Sequence, residues 1–226
     1  MTNEDQGSLA ACRWVLLDFD GPVCSAFAGY PAPEVAADML QKAVNAGVDV
    51  PQALMDESDP MEVMRRLYEI SPGFHGEVEE FLTSAEVRSV AAATPVPGAI
   101  EFIRACRETE RPLAVVSNNS PESIEAFLDK HALSNDVHHV VGRDKRSPRY
   151  MKPDPHSVNV ALDVLGADAS RAVLVGDSVT DIQAAHVAGA VAVGFANRPG
   201  KAERFRELEP AVVVTDMRDL ERLIRG

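Results

Sequence analysis

From about residue 94 onward the chain alternates short apolar runs with amphipathic stretches, and that rhythm leaves few folds open. RPLAVVS (111–117), VHHVVG (137–142), RAVLVG (171–176), AVAVGFA (190–196) and AVVVT (211–215) read as buried strands. Between the first two, Ser120 N-caps a helix with Pro121 in its first position. Asp154-Pro155 opens a further helix that closes near Gly166, TDIQAAHVAG forms one stopped by Gly189, and KAERFREL and MRDLERLIR supply two more. Strands that alternate with helices need crossover connections, so the expectation is a mostly parallel sheet covered on both faces. CRWVLLD (12–18) adds one earlier strand.

Residues 25–93 break the rhythm. Val35, Met39 and Ala43 fall at helical spacing, as do Val63, Leu67 and Ile70, then Val78, Phe81, Leu82 and Ala85. GYPAP, NAGVDVP, ESDP and SPGFHG punctuate them. A helical insert at 25–93 therefore interrupts a core made of 1–24 and 94–226, where Pro97-Gly98 restarts the core pattern.

A formal net charge of −13 excludes non-specific binding to nucleic acid or to an anionic membrane, because both need a basic face. It does not exclude a small anionic substrate, since a local cation inverts the field of a site. Cys12, Cys24 and Cys106 are too few and too scattered for a disulfide framework or a zinc motif, and Cys24 reads as a small buried side chain. MTNEDQGS lacks the basic and apolar regions of a leader, and no apolar run reaches the length of a membrane span. A reducing cytoplasm is the expected compartment.

In a parallel α/β sheet, ligands bind beyond the carboxyl ends of the strands. The first strand delivers Asp18 and Asp20 there, and the second Ser117, Asn118 and Asn119. The loop after the third carries Lys152, and the fourth leads to Asp177, with Asp181 one helical turn later. Two carboxylates two residues apart on a strand face the same side. At about 5 Å they repel by about 3 kcal/mol in an effective dielectric of about 20. Lys152 offsets one charge. The remainder invites a divalent cation, and an all-oxygen donor set suits Mg²⁺. A lone aspartate at a strand end serves most often as a cap or turn former, and Asp154 and Asp168 read as no more than that.

The set as a whole resembles the haloacid dehalogenase superfamily. DFDGP, SNN, KPDP and GDSVTDIQAAHVAG look like its four ordered motifs, and the insert at 25–93 matches its type-1 helical cap. The resemblance implies a Rossmann-like α/β core with an inserted cap. It implies that Asp18 is the nucleophile, forming an aspartyl-phosphate, and that Asp20 is the acid and then the base. Ser117 would hydrogen-bond the phosphoryl oxygens, and Lys152 would pair with Asp18 and the phosphoryl group. Mg²⁺ would lie on Asp177, the Asp18 carboxylate and the Asp20 main-chain carbonyl, with Asp181 as a further ligand. Gly21 would give the backbone room to approach the substrate, and Asn118 and Asn119 are either phosphate donors or turn residues.

An aspartate at position 20 points, by the same resemblance, to phosphate esters, whose alkoxide needs an acid. Pro22 departs from the family's usual Thr or Val and stiffens the exit toward the cap. The implied protein is a Mg²⁺-dependent phosphatase of a small phosphorylated metabolite, phosphoglycolate-like, acting as a monomer or homodimer. A β-phosphoglucomutase-like mutase and a non-catalytic scaffold are the alternatives. In the cap, Tyr30, Lys42, Arg65, Arg66, Tyr68 and His75 are candidate substrate contacts, with Arg65-Arg66 expected on a solvated helix face. NRPGK (197–201), after the fifth strand, is a further candidate near the site, with an exposed turn the favoured reading, and His138 and His139 face opposite sides of their strand.

Overall fold

The computed structural model describes residues 11–225. The N-terminal stretch MTNEDQGS, on which the expectation about a leader rests, lies outside them. Among the described residues six parallel strands form one sheet: β1 (Trp14–Leu17), β2 (Leu113–Val116), β3 (His139–Val141), β4 (Ala172–Gly176), β5 (Val191–Phe195) and β6 (Val212–Val214). Their spatial order is β3-β2-β1-β4-β5-β6. The chain therefore builds outward from β1 in one direction, returns, and builds outward in the other. The reversal falls between β1 and β4, and such a switch point opens a crevice at the strand ends.

Each strand is apolar on both faces because helices cover both. Val15, Leu17, Val115, Val173 and Val175 pack with Phe102 and Ile103 of α4 (Ala99–Glu108), with Phe127 of α5 (Pro121–Lys130) and with Met217 and Leu220 of α9 (Met217–Arg225). Leu16, Ala114, Val116 and Leu174 point the opposite way. They meet Val158 and Ala161 of α6 (His156–Leu165), Ile182 and Ala185 of α7 (Val179–Ala188) and Phe205 of α8 (Lys201–Arg206). Alternation along each strand assigns these neighbours.

The stretch after β1 contains three helices, α1 (Ala32–Asn45), α2 (Pro60–Ile70) and α3 (His75–Val90). They close around an apolar cluster of their own that includes Val35, Met39, Val63, Leu67, Val78 and Leu82. Of the residues at helical spacing, Ile70 faces outward and is 37% exposed, whereas Phe81 is partly buried against the cluster. The inward stripe of α3 instead includes Glu79 and Glu86. No helix among the described residues is long and apolar enough to cross a membrane.

Candidate active site

The sheet register sets the site. Leu17 pairs with Val115 on one side and Val175 on the other, and Val116 pairs with Val141. The next residues of these strands thus end in one row. Asp18 N continues the ladder by donating to Val175 O at 2.9 Å, and Ser117 N donates to Val141 O at 3.0 Å. Asp20 lies beyond β1, in a turn closed by Gly21 N donating to Cys24 O at 2.7 Å. Its carboxylate accepts from Ala26 N at 2.8 Å, which aims it as the chain leaves for α1.

Two glycines permit the close packing of carboxylates. A Cβ on Gly21, whose φ is +109°, would fall 2.3 Å from Cγ of Asp177. A Cβ on Gly176 would fall 2.3 Å from Cγ of Asp181. Ser178 caps α7 by accepting from Asp181 N, and the Asp181 carboxylate accepts in return from Ser178 N at 2.9 Å. The capping exchange holds this carboxylate in the crevice.

Asp18, Asp177 and Asp181 each offer an oxygen within 4.8 Å of the others. Lys152 reaches in with its ammonium group, 2.9 Å from Asp18 Oδ1, 2.5 Å from Asp181 Oδ1 and 2.8 Å from Val116 O. It is only 2% exposed. Burial works against that ammonium, but the two carboxylates raise its pKa well above that of a free lysine. Lys201 Nζ lies 2.6 Å from Asp177 Oδ2 and 2.7 Å from Asp177 O, and Asn197 Nδ2 donates to the same Oδ2 at 2.9 Å.

Lys152 and Lys201, which pair with these aspartates, offset two of the four formal charges of Asp18, Asp20, Asp177 and Asp181, and the remainder is what one Mg²⁺ would neutralise. The donor atoms are all oxygens, as that ion prefers. The site fits the cation on charge and on chemistry.

Burial and the neighbouring Asp181 and Asp177 charges push the Asp18 carboxyl up from 3.8 to about 8, with Lys152 acting in the opposite direction. Burial pushes Asp20 up to about 6, against the pull of its bond from Ala26 N. Between about pH 4 and 8 the folded protein therefore holds protons that the unfolded chain has released, so its stability falls as pH rises through that window. We expect the thermal midpoint of the metal-free protein to drop by roughly 5 °C from pH 5.5 to 8. Mg²⁺ should recover most of that loss at pH 8. Scanning fluorimetry in EDTA and in Mg²⁺ reads both effects, and a flat or rising metal-free profile would contradict this charge balance.

The structure also corrects and extends the residue list. Asn118 and Asn119 line the crevice, but their side chains are engaged by the protein. Asn118 Oδ1 accepts from Lys152 N at 2.8 Å and its Nδ2 donates to Lys152 O at 3.2 Å, bracing the lysine. Asn119 Oδ1 accepts from the Ser117 hydroxyl at 3.1 Å. Arg65 is not on a solvated face: its Nη2 donates to Lys152 O at 2.7 Å and it lines the crevice, whereas Arg66 is exposed. NRPGK is not a bystander turn, since Asn197 and Lys201 hold Asp177.

The other cap candidates point elsewhere. Tyr30 bonds Asp38 under the Arg88 guanidinium, Lys42 lines a separate cleft, and Tyr68 packs edge-on to His75. His75 Nε2 contacts Lys145 O at 3.0 Å. Asp154 and Asp168 cap turns, accepting from His156 N and Ser170 N at 2.9 and 3.0 Å. The three cysteines are buried, and burial raises the Cys24 pKa far above that of an exposed thiol.

The parallel sheet thus brings Asp18, just past its central strand, together with a buried lysine and two further aspartates at the switch point. The family model for haloacid dehalogenase-like hydrolases matches residues 12–189, and the chain belongs to that family. A phosphoglycolate phosphatase from Mesorhizobium japonicum is 35% identical over 140 residues, 58% of this chain and 59% of that protein. The chain thus spans less than two thirds of that relative. A phosphoglycolate phosphatase from Pseudomonas savastanoi pv. phaseolicola is 26% identical over 217 residues, 92% of this chain and 78% of the relative. The crystal structure of CbbY from Rhodobacter sphaeroides in complex with phosphate superposes with a TM-score of 0.69 at 19% identity, covering 92% of this chain and 96% of that one. That last likeness is one of fold.

Proposed function

We propose that the protein is a Mg²⁺-dependent phosphatase of a small phosphorylated metabolite. The observation that carries this reading is the Asp18–Asp177–Asp181 cluster with Lys152 inserted into it, at the switch point of the sheet. In this reading residues 25–93 act as a cap over a core formed by 1–24 and 94–226, and the separate apolar cluster of α1–α3 supports that division.

Asp18 attacks phosphorus through a carboxylate oxygen, and the bond from phosphorus to the leaving alcohol breaks. Asp20 gives its proton to the departing oxygen. Its carboxylate then takes a proton from the water that attacks the aspartyl-phosphate, which releases phosphate and restores Asp18. A pKa near 6 equips Asp20 for both steps near neutral pH. Lys152 keeps Asp18 oriented, and its ammonium remains beside the phosphoryl group as charge develops. Ser117 donates to a phosphoryl oxygen by turning its one hydroxyl proton away from Asn119 Oδ1. Asp18, Asp177, Asp181 and the Asp20 main-chain carbonyl would hold Mg²⁺, which supplies charge neutralisation at the phosphoryl group.

The crevice measures about 560 Å³, and Arg65, Lys201 and Arg204 bring cations to its walls. That size and charge suit a small anionic ester. The names of the relatives point to phosphoglycolate as the first compound to try. A reducing cytoplasm is the compartment proposed for the protein, in keeping with the buried thiols of Cys24 and Cys106.

The test is phosphate release from p-nitrophenyl phosphate and from a panel of metabolite phosphates, with Mg²⁺ and with EDTA. We expect turnover that EDTA abolishes and Mg²⁺ restores. Turnover indifferent to EDTA, or no phosphate from any compound, would overturn the reading.

A further inference from the structure

A second charged cluster lies behind the site and is buried. Arg143 directly follows the β3–Gly142 segment, and its side chain has no exposed surface. Its Nε and Nη2 donate to Glu79 Oε2 and Oε1, both at 2.9 Å. Its Nη1 and Nη2 donate to Glu86 Oε1 and Oε2 at 2.9 and 3.1 Å, and Nη1 also donates to Asn118 O at 2.8 Å. Every N–H of the guanidinium has an oxygen partner. Glu86, itself without exposed surface, accepts two bonds more, from Asn119 Nδ2 and Ser120 N, both at 3.0 Å. Its charge sits at the N-terminus of α5, where a helix favours an anion.

Mere attachment of α3 to the core does not need this arrangement. Apolar side chains of similar volume hold two elements together as well or better, because buried ions carry a desolvation penalty. What ions add is direction. Glu86 receives Asn119 Nδ2, which turns the other end of that amide, Oδ1, toward the Ser117 hydroxyl. Arg143 fixes the adjoining backbone twice, through Asn118 O and through its own N–H to Asn119 O at 2.7 Å.

We propose that the Arg143–Glu86 pair is a positioning device that sets the Ser117 hydroxyl and the 117–120 backbone for phosphoryl binding, with Glu79 anchoring Arg143 to α3. The proposal rests on the reading of 117–120 as the phosphoryl-binding loop. Glu86→Gln keeps shape but replaces one acceptor by a donor. The new amide then opposes either Ser120 N–H, whose relief shifts the 119–120 backbone, or Asn119 Nδ2, whose relief turns the Asn119 amide over, and either change disturbs the contacts that Ser117 Oγ makes with Asn119 N at 3.2 Å and Asn119 Oδ1 at 3.1 Å.

The test measures competitive inhibition by inorganic phosphate, kcat and KM, and the thermal midpoint, on the full chain with Mg²⁺. Glu86→Gln should weaken phosphate binding and lower kcat/KM by about tenfold or more. Val78→Ala, a core truncation on the same helix, should lower the thermal midpoint yet leave phosphate affinity unchanged. Equal loss of affinity in both, or none in Glu86→Gln, overturns the proposal. If Glu86→Gln does not fold, E79M/R143M/E86M takes its place, and normal phosphate binding by that folded triple variant overturns the proposal. Ser117→Ala separates the two levels. Normal phosphate binding there overturns the reading of the loop and the proposal with it, whereas loss there beside a normal Glu86→Gln overturns the proposal alone.

Discussion

Asp18→Asn is expected to lower phosphate release by about 10⁴-fold or more while leaving the protein folded. The amide retains an oxygen for Lys152, now 2.9 Å from Asp18 Oδ1, but is a poor nucleophile toward phosphorus. The variant should also be at least as stable as wild type in EDTA at pH 8. It removes a buried carboxyl that the surroundings hold near a pKa of 8 and that is half charged there. Steady-state kinetics and a melting curve on the same preparation decide the matter. Activity within tenfold of wild type would move the nucleophile elsewhere, and a collapsed melting curve would show that Asp18 is needed for the fold as well as for the chemistry.

The second large effect is on Lys152→Met. The ammonium lies between two carboxylates that are almost fully buried. Removing one partner of a buried pair typically costs about 3–5 kcal/mol, because the other charge is left uncompensated. The metal-free variant should therefore be much less stable than wild type, and most so at alkaline pH. As pH falls the orphaned carboxyls take up protons, and the deficit shrinks. Lys152→Met/Asp181→Asn should regain stability without regaining activity, since nothing then offsets charge beside Asp18. Chemical denaturation at pH 6 and pH 8 reads the first effect, and the phosphate assay reads the second. A Lys152→Met protein of unchanged stability at pH 8 would mean that the lysine does not offset the buried charge beside it.

The alternating core was legible because each strand is apolar on both faces and each helix carries its own start and stop residues. Ser120 does cap α5, and Gly166 and Gly189 do end α6 and α7. Asp18, Ser117, Lys152, Asp177 and Asp181 were legible because strand ends in a parallel sheet face one crevice. Arg143, Glu79 and Glu86 were missed for a physical reason. Charged residues on a helix ordinarily face water, and what buries these is a pairing across 57 and 64 residues of chain. A signal was present all the same. Glu79 and Glu86 share the stripe of Val78, Leu82 and Ala85, and Arg143 stands just past a strand end, where the other site residues stand. Arg65 and Lys201 were read as surface charges because local sequence does not reveal what lies across a crevice. Asn197 and Lys201 sit beyond β5 by the same strand-end logic, which places NRPGK near the site, although its turn pattern does not show that the two side chains reach Asp177.

The bond from Lys152 to Asp18 joins residues 134 positions apart. It has a consequence for the order in which the chain is made. Synthesis delivers the central strand and its aspartates first, and a ribosome must add most of the protein before their countercharge emerges. β4, the neighbour of β1 across the switch point, comes later still. Contacts of such long range are slow to form and leave apolar strand surface open meanwhile. During that interval α1–α3, which close on a cluster largely their own, are the part of the nascent chain equipped to fold ahead of the sheet.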